Sequence, residues 1–428
     1  MKAYKKSEEF LLRAEKVIPL GSQTFSKSRT QYPVGISPLY ASRASGPYLW
    51  DIDGNKYIDL VSGLASITLG YKDKKFNQQV KKQISKGINF SLPGMLECEV
   101  AEKIAFMVPG AEMVRFGKNG SDVTSAAIRL ARSFTNRDQI AVCGYHGWHD
   151  WYIGSTTRNS GVPEGISKLT HKFEYNNLES LKKVFQQSPG EIAAVILEPM
   201  NKDFPEENFL ENVKKITHEN GAILIFDEVI TGFRFSRGGA QELFKVIPDL
   251  STFGKGLANG FPISAIVGKK EIMKGMEEIF FSGTFGGELV SLSAANYVLD
   301  LHKENLVVPK LIEIGSNLKK VTNDSIIRNK LEDVFNLSGH DTWKFININA
   351  TEVFSAVELK TYFMQEIFKR GLLTTGTHNV TLSHKKRVIN KISNIYDEVF
   401  SKIRDGIFKE SISKDLMVAP LVPLFRVR

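Results

Sequence analysis

The stretch that most constrains this chain is 221–265, GAILIFDEVITGFRFSRGGAQELFKVIPDLSTFGKGLANGFPISA. An apolar run, 222–226, ends in Asp227, and a second short run ends in Gly254-Lys255-Gly256. An unbroken apolar run of this length reads as a strand buried on both faces. An acid at its end is costly unless it meets a positive group. Glycines beside a lysine let the backbone come close to a ligand. Together the two can grip one small molecule, the carboxylate pairing with a cationic ring nitrogen and the lysine forming a Schiff base with an aldehyde. The separation, 255 − 227 = 28 residues, is room for one crossover between neighbouring strands. Strand alternation turns Glu228 away from the Asp227 side and returns Val229 to it.

The surrounding chain alternates strands and helices, the pattern of a mostly parallel sheet covered by helices. Strands are predicted at 113–116, 140–143, 192–197, 222–226, 250–253 and 264–267, and helices at 76–86, 93–106, 121–134, 206–219 and 291–302. An N-terminal helix is predicted over 7–18, with Phe10, Leu11, Ala14, Val17 and Ile18 on one side and Pro19 as its stop. Residues 46–60 read as a β-hairpin turning at Asp53-Gly54-Asn55. A helix at 310–320 gives way from about 323 to strands at 334–337 and 343–348 and helices at 356–370 and 387–407. The expected division is an N-terminal segment, 1–60, a large domain, 61–305, and a C-terminal α/β domain, 306–428, that joins the N-terminal segment.

Composition narrows the function. The formal charge is +9, but no basic cluster is interleaved with aromatics, so no nucleic-acid partner is expected. No GxGxxG follows a first strand, which disfavours a dinucleotide dehydrogenase. Two cysteines make no disulfide framework and point to a reducing compartment. The N-terminus is charged and amphipathic, unlike a signal peptide, and no apolar run spans a bilayer. A soluble cytoplasmic protein is expected. The apolar and basic tail, 417–428, has no role legible in its residues.

Further segments have the chemistry of a site. Lys118-Asn119-Gly120-Ser121 reads as a strand, a glycine turn and a serine N-cap, an arrangement that cradles anions. Tyr145-His146-Gly147-Trp148-His149 follows a strand and offers an aromatic face. His146 and His149 lack the cysteine or carboxylate set that a metal site needs, so none is expected, and His146 is expected to fix the site by hydrogen bonding. Glu198 and Asn201 close the strand 192–197. Residues 281–288, FSGTFGGE, form a glycine-rich turn around Thr284. Thr377-His378-Asn379 can present polar groups from the C-terminal region.

FDEVITGFR followed by PDLSTFGKGLANGFP resembles the class III aminotransferases of pyridoxal phosphate (PLP) fold type I, with the glutamate-1-semialdehyde aminomutases as the nearest subgroup. The likeness extends over nearly the whole chain. It implies a large domain with a mostly parallel seven-stranded sheet flanked by helices, a small α/β domain from both chain ends, and a homodimer with shared active sites. It implies that Lys255 holds PLP as a Schiff base, that Asp227 pairs with the ring nitrogen, and that Val229 and Tyr145 pack on opposite ring faces. Gly120 and Ser121 would hold the phosphate, Thr284 of a second subunit would cap it, and Asn201 would approach the 3′ oxygen. Lys27 aligns where the subgroup has an arginine for the substrate carboxylate. Glu288-Leu289 stands where relatives often have Asn-Pro, and Glu198 is a candidate for the substrate side. The implied reaction moves an amino group between an amine or amino acid and a small carbonyl compound. Isomerisation of glutamate 1-semialdehyde to 5-aminolevulinate is the alternative, and a racemase is third. A non-catalytic binding protein on the same fold would predict loss of Lys255 or Asp227, and both are present.

Overall fold

The computed structural model describes residues 4–421. The chain divides into two compact units, one made of residues up to Asp73 together with those from Pro309 onward, the other of Lys74–Val308.

The second unit is built on a seven-stranded sheet. Its strands are β1 (Met113–Gly117), β2 (Gln139–Cys143), β3 (Thr170–Lys172), β4 (Ile192–Leu197), β5 (Ile223–Glu228), β6 (Leu250–Phe253) and β7 (Ser264–Gly268). They lie in the order β1-β7-β6-β5-β4-β2-β3. Strand β7 runs antiparallel to both β1 and β6. All other pairings are parallel. The pairing of β5 with β6 shows that the 28-residue interval (255 − 227) does make one crossover between neighbours.

The period of two divides the core between the sheet's faces. Ala194, Ile196, Ile223 and Ile225 pack with Val123, Ala127, Leu130 and Ala131 of helix α1 (Gly120–Thr135). Val195, Leu197, Leu224 and Phe226 pack with Leu181 and Val184 of α2 (Leu178–Gln187) and with Leu210 and Val213 of α3 (Phe209–Glu219). Each strand residue in this sandwich is buried, as expected of strands covered on both faces. Among the elements absent from the expected set, two cover this sheet or extend it. One is the edge strand β3, which is too short to show periodicity. The other is α2, whose apolar residues recur at helical spacing in LESLKKVFQQ.

The first unit carries two smaller sheets. Tyr48–Asp51 and Lys56–Asp59 form the expected hairpin, joined by Ala41–Ser45 on one side and Leu372–Leu373 on the other. Phe335–His340, Trp343–Ile348 and Thr377–Asn379 form the other sheet. Helices Ala356–Lys369 and Lys386–Phe408 pack against each other through Phe363, Tyr396 and Phe400.

Two expectations need correction. The N-terminal helix is Lys5–Ala14 and ends before Pro19, leaving Val17 80% exposed. Its start is held by Asp53, whose carboxylate accepts the N–H groups of Lys6 and Ser7 at 2.7 and 3.0 Å. The helix expected to stop near 320 runs over Val308–Arg328, because Thr322 and Ser325, polar in sequence, are fully buried along it. Thr322 does so by returning its hydroxyl to the Leu318 carbonyl at 2.8 Å. Of the C-terminal tail, residues 422–428 lie outside the described residues. Among the described residues no helix is long and apolar enough to cross a membrane.

Candidate functional site

The site is assembled where the parallel strands of the second unit end. Asp227 continues the face of Ile223 and Ile225 to the end of β5 and is 5% exposed. Its Oδ2 lies 2.8 Å from His146 Nδ1, and its Oδ1 accepts the N–H of Val229 at 3.1 Å and the Thr252 hydroxyl at 3.2 Å. Thr252 is brought there by strand register, being the direct partner of Asp227 across β5 and β6. His146 Nε2 lies 3.1 Å from the Cys143 carbonyl. Both ring nitrogens are therefore engaged, one by the carboxylate and one by the backbone. The imidazole is fully enclosed, with Trp151 stacked beside it and Tyr152 edge-on.

Glu228 is also buried but turns the other way, as alternation requires. Its carboxylate accepts the N–H groups of Ala240 and Gln241, the Gln241 amide and the Thr231 hydroxyl. Burial pushes its carboxyl above the ordinary range, and these hydrogen bonds offset only part of that rise.

Lys255 follows β6 by two residues, in the turn Lys255–Ala258. Its φ is +39°, in the left-handed region where a residue bearing a Cβ is strained. A Cβ on the preceding Gly254 would stand 3.4 Å from Val229 Cγ1, so the backbone before the lysine runs alongside Val229.

The expected anion cradle falls between β1 and α1. Here the structure corrects one detail: the N-cap is Asn119, and Ser121 sits one residue inside the helix. The Asp122 carboxylate accepts the N–H groups of Lys118 and Asn119 at 3.0 and 2.7 Å, which fixes the turn. Gly120 and Ser121 are left in the first helical turn, whose N–H groups have no intrahelical acceptor. A Cβ at position 120 would come within 3.0 Å of Val229, and one at Gly147 within 2.3 Å of Ser121 Oγ. Only glycine lets these segments close on one another.

Two further groups adjoin this floor. Glu198, 5% exposed, accepts the Tyr145 N–H at 3.1 Å and the Asn201 amide at 2.7 Å. The other side-chain atom of that amide, Asn201 Oδ1, is buried without a hydrogen-bond partner among the described residues. Tyr145 is half-buried, its ring edge-to-face with Tyr152 at 5.6 Å.

Thr284, Glu288, Lys27, His378 and Asn379 are the remaining candidates. Thr284 is exposed in a turn whose backbone carbonyl takes the Asn89 amide at 3.4 Å. Glu288 caps the helix α4 (Leu289–Lys303), accepting the N–H of Val290 at 2.7 Å, and pairs with Lys118 Nζ at 3.0 Å. Lys27 belongs to the first unit and is exposed in the turn Phe25–Lys27. His378 and Asn379 are buried in the first unit, His378 against the Tyr396 hydroxyl at 2.6 Å. Thr252 and Thr124 (whose hydroxyl holds the His146 carbonyl at 2.8 Å) are site-shaping residues that sequence reasoning missed, as it missed the pairing of Lys118 with Glu288. Each depends on contacts across segments distant in sequence.

Comparison with known proteins places this geometry. The sequence profile of the family described as aminotransferase class-III matches residues 31–400. The chain is 39% identical over 346 residues to the glutamate-1-semialdehyde 2,1-aminomutase of Alkaliphilus oremlandii (strain OhILAs), covering 75% of this chain and 81% of that protein. It is 32% identical to the enzyme of the same name from Wigglesworthia glossinidia brevipalpis, covering 94% of this chain and 99% of that one. Among solved structures, the FumI protein of Sphingopyxis sp. MTA144, determined in its PLP internal aldimine form, superposes with a TM-score of 0.88 at 26% identity. That match covers 94% of this chain and 98% of FumI. The sheet and its flanking helices are those of PLP fold type I. The chain belongs to the class-III aminotransferases, a family of PLP-dependent transaminases and aminomutases that act on small molecules.

Proposed function

We propose that this chain is a transaminase that moves an amino group between an amine or amino acid donor and a small carbonyl acceptor. The observation that carries the reading is the Asp227–His146–Thr252 hydrogen-bond set one strand away from the glycine-bounded Lys255. The residues fit PLP on three counts: the buried carboxylate, the glycine-closed helix N-terminus, and the buried Asn201 Oδ1. Asp227 would hold the ring N–H, and Gly120 and Ser121 the phosphate. Val229 and Tyr145 would pack on the two ring faces, with His146 fixing Asp227 and Asn201 near the 3′ oxygen. When bound, PLP supplies an electron sink for the carbanion left when a substrate Cα proton is removed. The chain supplies the proton carrier: Lys255 Nζ would take the proton from Cα as general base and return it as general acid.

Lys27 in place of the subgroup's arginine, and Glu288-Leu289 in place of Asn-Pro, support a substrate other than glutamate 1-semialdehyde. Lysine is a point charge and does not reproduce a bidentate fork. The second reading, isomerisation of glutamate 1-semialdehyde, is favoured by the names of the relatives at 39% and 32% identity. A homodimer is part of the proposal. Asn89 bonds to the Thr284 carbonyl and Leu289 to the Ile88 carbonyl, joining two segments that expose Phe90, Leu92, Met95, Phe280 and Phe285. Such an apolar face supports a second copy seated on it, with Thr284 of each copy reaching the other's phosphate. Residence in the cytoplasm is in keeping with the free thiols of Cys98 and Cys143.

The test is the visible spectrum of the PLP-incubated protein before and after glutamate, alongside Lys255→Ala, with product assays on glutamate 1-semialdehyde. A yellow band that bleaches with glutamate, and is altered in the variant, supports net transamination. Conversion of glutamate 1-semialdehyde with no added donor supports the second reading. A protein that stays colourless with PLP sinks both.

A further inference from the structure

We propose that Lys118 and Glu288 form a latch that positions the phosphate cradle against the loop 281–287, and so sets the preference for a phosphorylated over an unphosphorylated cofactor. The inference rests on the cofactor reading above. Lys118 precedes the cradle directly: its backbone N–H is held by Asp122, and its side chain reaches Glu288, 170 residues along the chain. The Glu288 carboxylate serves both partners at once. Oε1 accepts the Val290 N–H at 2.7 Å, and Oε2 accepts the Ser291 N–H at 3.1 Å and Lys118 Nζ at 3.0 Å. The acid therefore joins the start of α4 to the end of β1.

The pair is sheltered, with side-chain exposures of 19% and 11% for Lys118 and Glu288, so solvent screens it less than a surface pair. Burial raises the Glu288 carboxyl, but the bonds from Ser291 and Lys118 outweigh it and leave the group below its ordinary value. The carboxylate therefore keeps its charge, and the latch holds, at neutral pH.

Other contacts join the same two regions. Arg115 donates to the Phe281 carbonyl at 3.1 Å, and Arg129 to the Phe280 carbonyl at 2.9 Å. These are peripheral bonds to carbonyls, whereas Lys118–Glu288 is the charged contact adjoining Gly120 and Ser121. An anion cradle made of N–H groups works only when those groups stay aligned on one point. The latch is a second hold on Lys118, by its side chain, beside the hold that Asp122 has on its backbone N–H. It also gives Glu288 a different task from the substrate contact expected of it: its oxygens are engaged by a helix end and a lysine. Both members are positioning residues.

The experiment titrates the cofactor-free protein with PLP and, separately, with pyridoxal, which lacks the phosphate, reading absorbance and tryptophan fluorescence. Lys118→Met and Glu288→Gln are each expected to raise the PLP Kd about tenfold while leaving the pyridoxal Kd unchanged. Lys118→Arg is expected to stay within about threefold of the parent. The double variant Lys118→Met/Glu288→Gln is expected to bind PLP no more weakly than the weaker single variant, because one shared interaction is lost only once. An unchanged PLP Kd, equal weakening toward both compounds, or additive effects would overturn the latch. Should Glu288→Gln fail to fold, Lys118→Met decides alone, since it leaves the α4 cap in place. A parent protein that binds neither compound would overturn the cofactor reading itself, a distinct outcome.

Discussion

Asp227 and Glu228 are consecutive carboxyl side chains and both buried, yet they face different regions of the molecule. Glu228 faces the segment that follows it: its partners are Thr231, Ala240 and Gln241, none more than 13 residues away. Asp227 faces the opposite side and is addressed by His146, 81 residues away, and Thr252, 25 residues away. One acid is consumed by its own loop and fastens the turn after β5. The other takes one bond from its own segment, the Val229 N–H, and is otherwise oriented by the loop after β2 and by the neighbouring strand β6. A buried acid satisfied locally is a structural fastening, and one oriented by non-local groups is the better candidate for chemistry.

Breaking the Asp227 side should have the largest effect. Asp227→Ala is expected to lower kcat/KM by roughly 10³-fold or more, about 4 kcal/mol of transition-state stabilisation. Steady-state kinetics with saturating PLP check it, and a loss below tenfold would remove Asp227 from the site. Glu228→Gln should do the reverse, costing about 3 kcal/mol of stability, because the amide cannot accept from all the donors now gathered there. Its activity per folded molecule should stay within about twofold. The two acids separate again with pH. Because the Glu228 carboxyl is raised in the fold, its contribution to stability is complete below the ordinary carboxylate range. That contribution is lost as pH rises through the raised value. Denaturant melts between about pH 4 and pH 8 should show this decline in the parent, and Glu228→Gln should lack it.

Smaller changes sharpen the contrast. His146→Gln leaves Asp227 in place but misaligned, and about a 10²-fold fall in kcat is expected with unaltered melting. An equal loss of stability and activity would make His146 a core residue only. Thr252→Val removes one hydrogen bond to Asp227 from the neighbouring strand. It should cost about 1 kcal/mol, seen as a fall of five- to tenfold in kcat/KM. No change would show that strand register, rather than this bond, orients the acid.

How much of this was legible beforehand follows the same division. The run 222–226, the alternation that separates Asp227 from Glu228, the glycines around Lys255 and the hairpin turn at Asp53-Gly54-Asn55 are local patterns. Periodicity, burial of apolar runs and turn preference act between near neighbours, so the chain states them outright. The N-cap at Asn119 was misplaced by two residues, because serine at 121 competes for the same role and only the path of β1 into α1 decides between them. The strand order, the approach of His146 to Asp227, the Asp227–Thr252 register and the Lys118–Glu288 pair were decided by the tertiary structure alone. Each joins residues 25 to 170 positions apart. Such contacts form only when the sheet assembles and brings its loops to one edge, and no local preference encodes which loop arrives beside which.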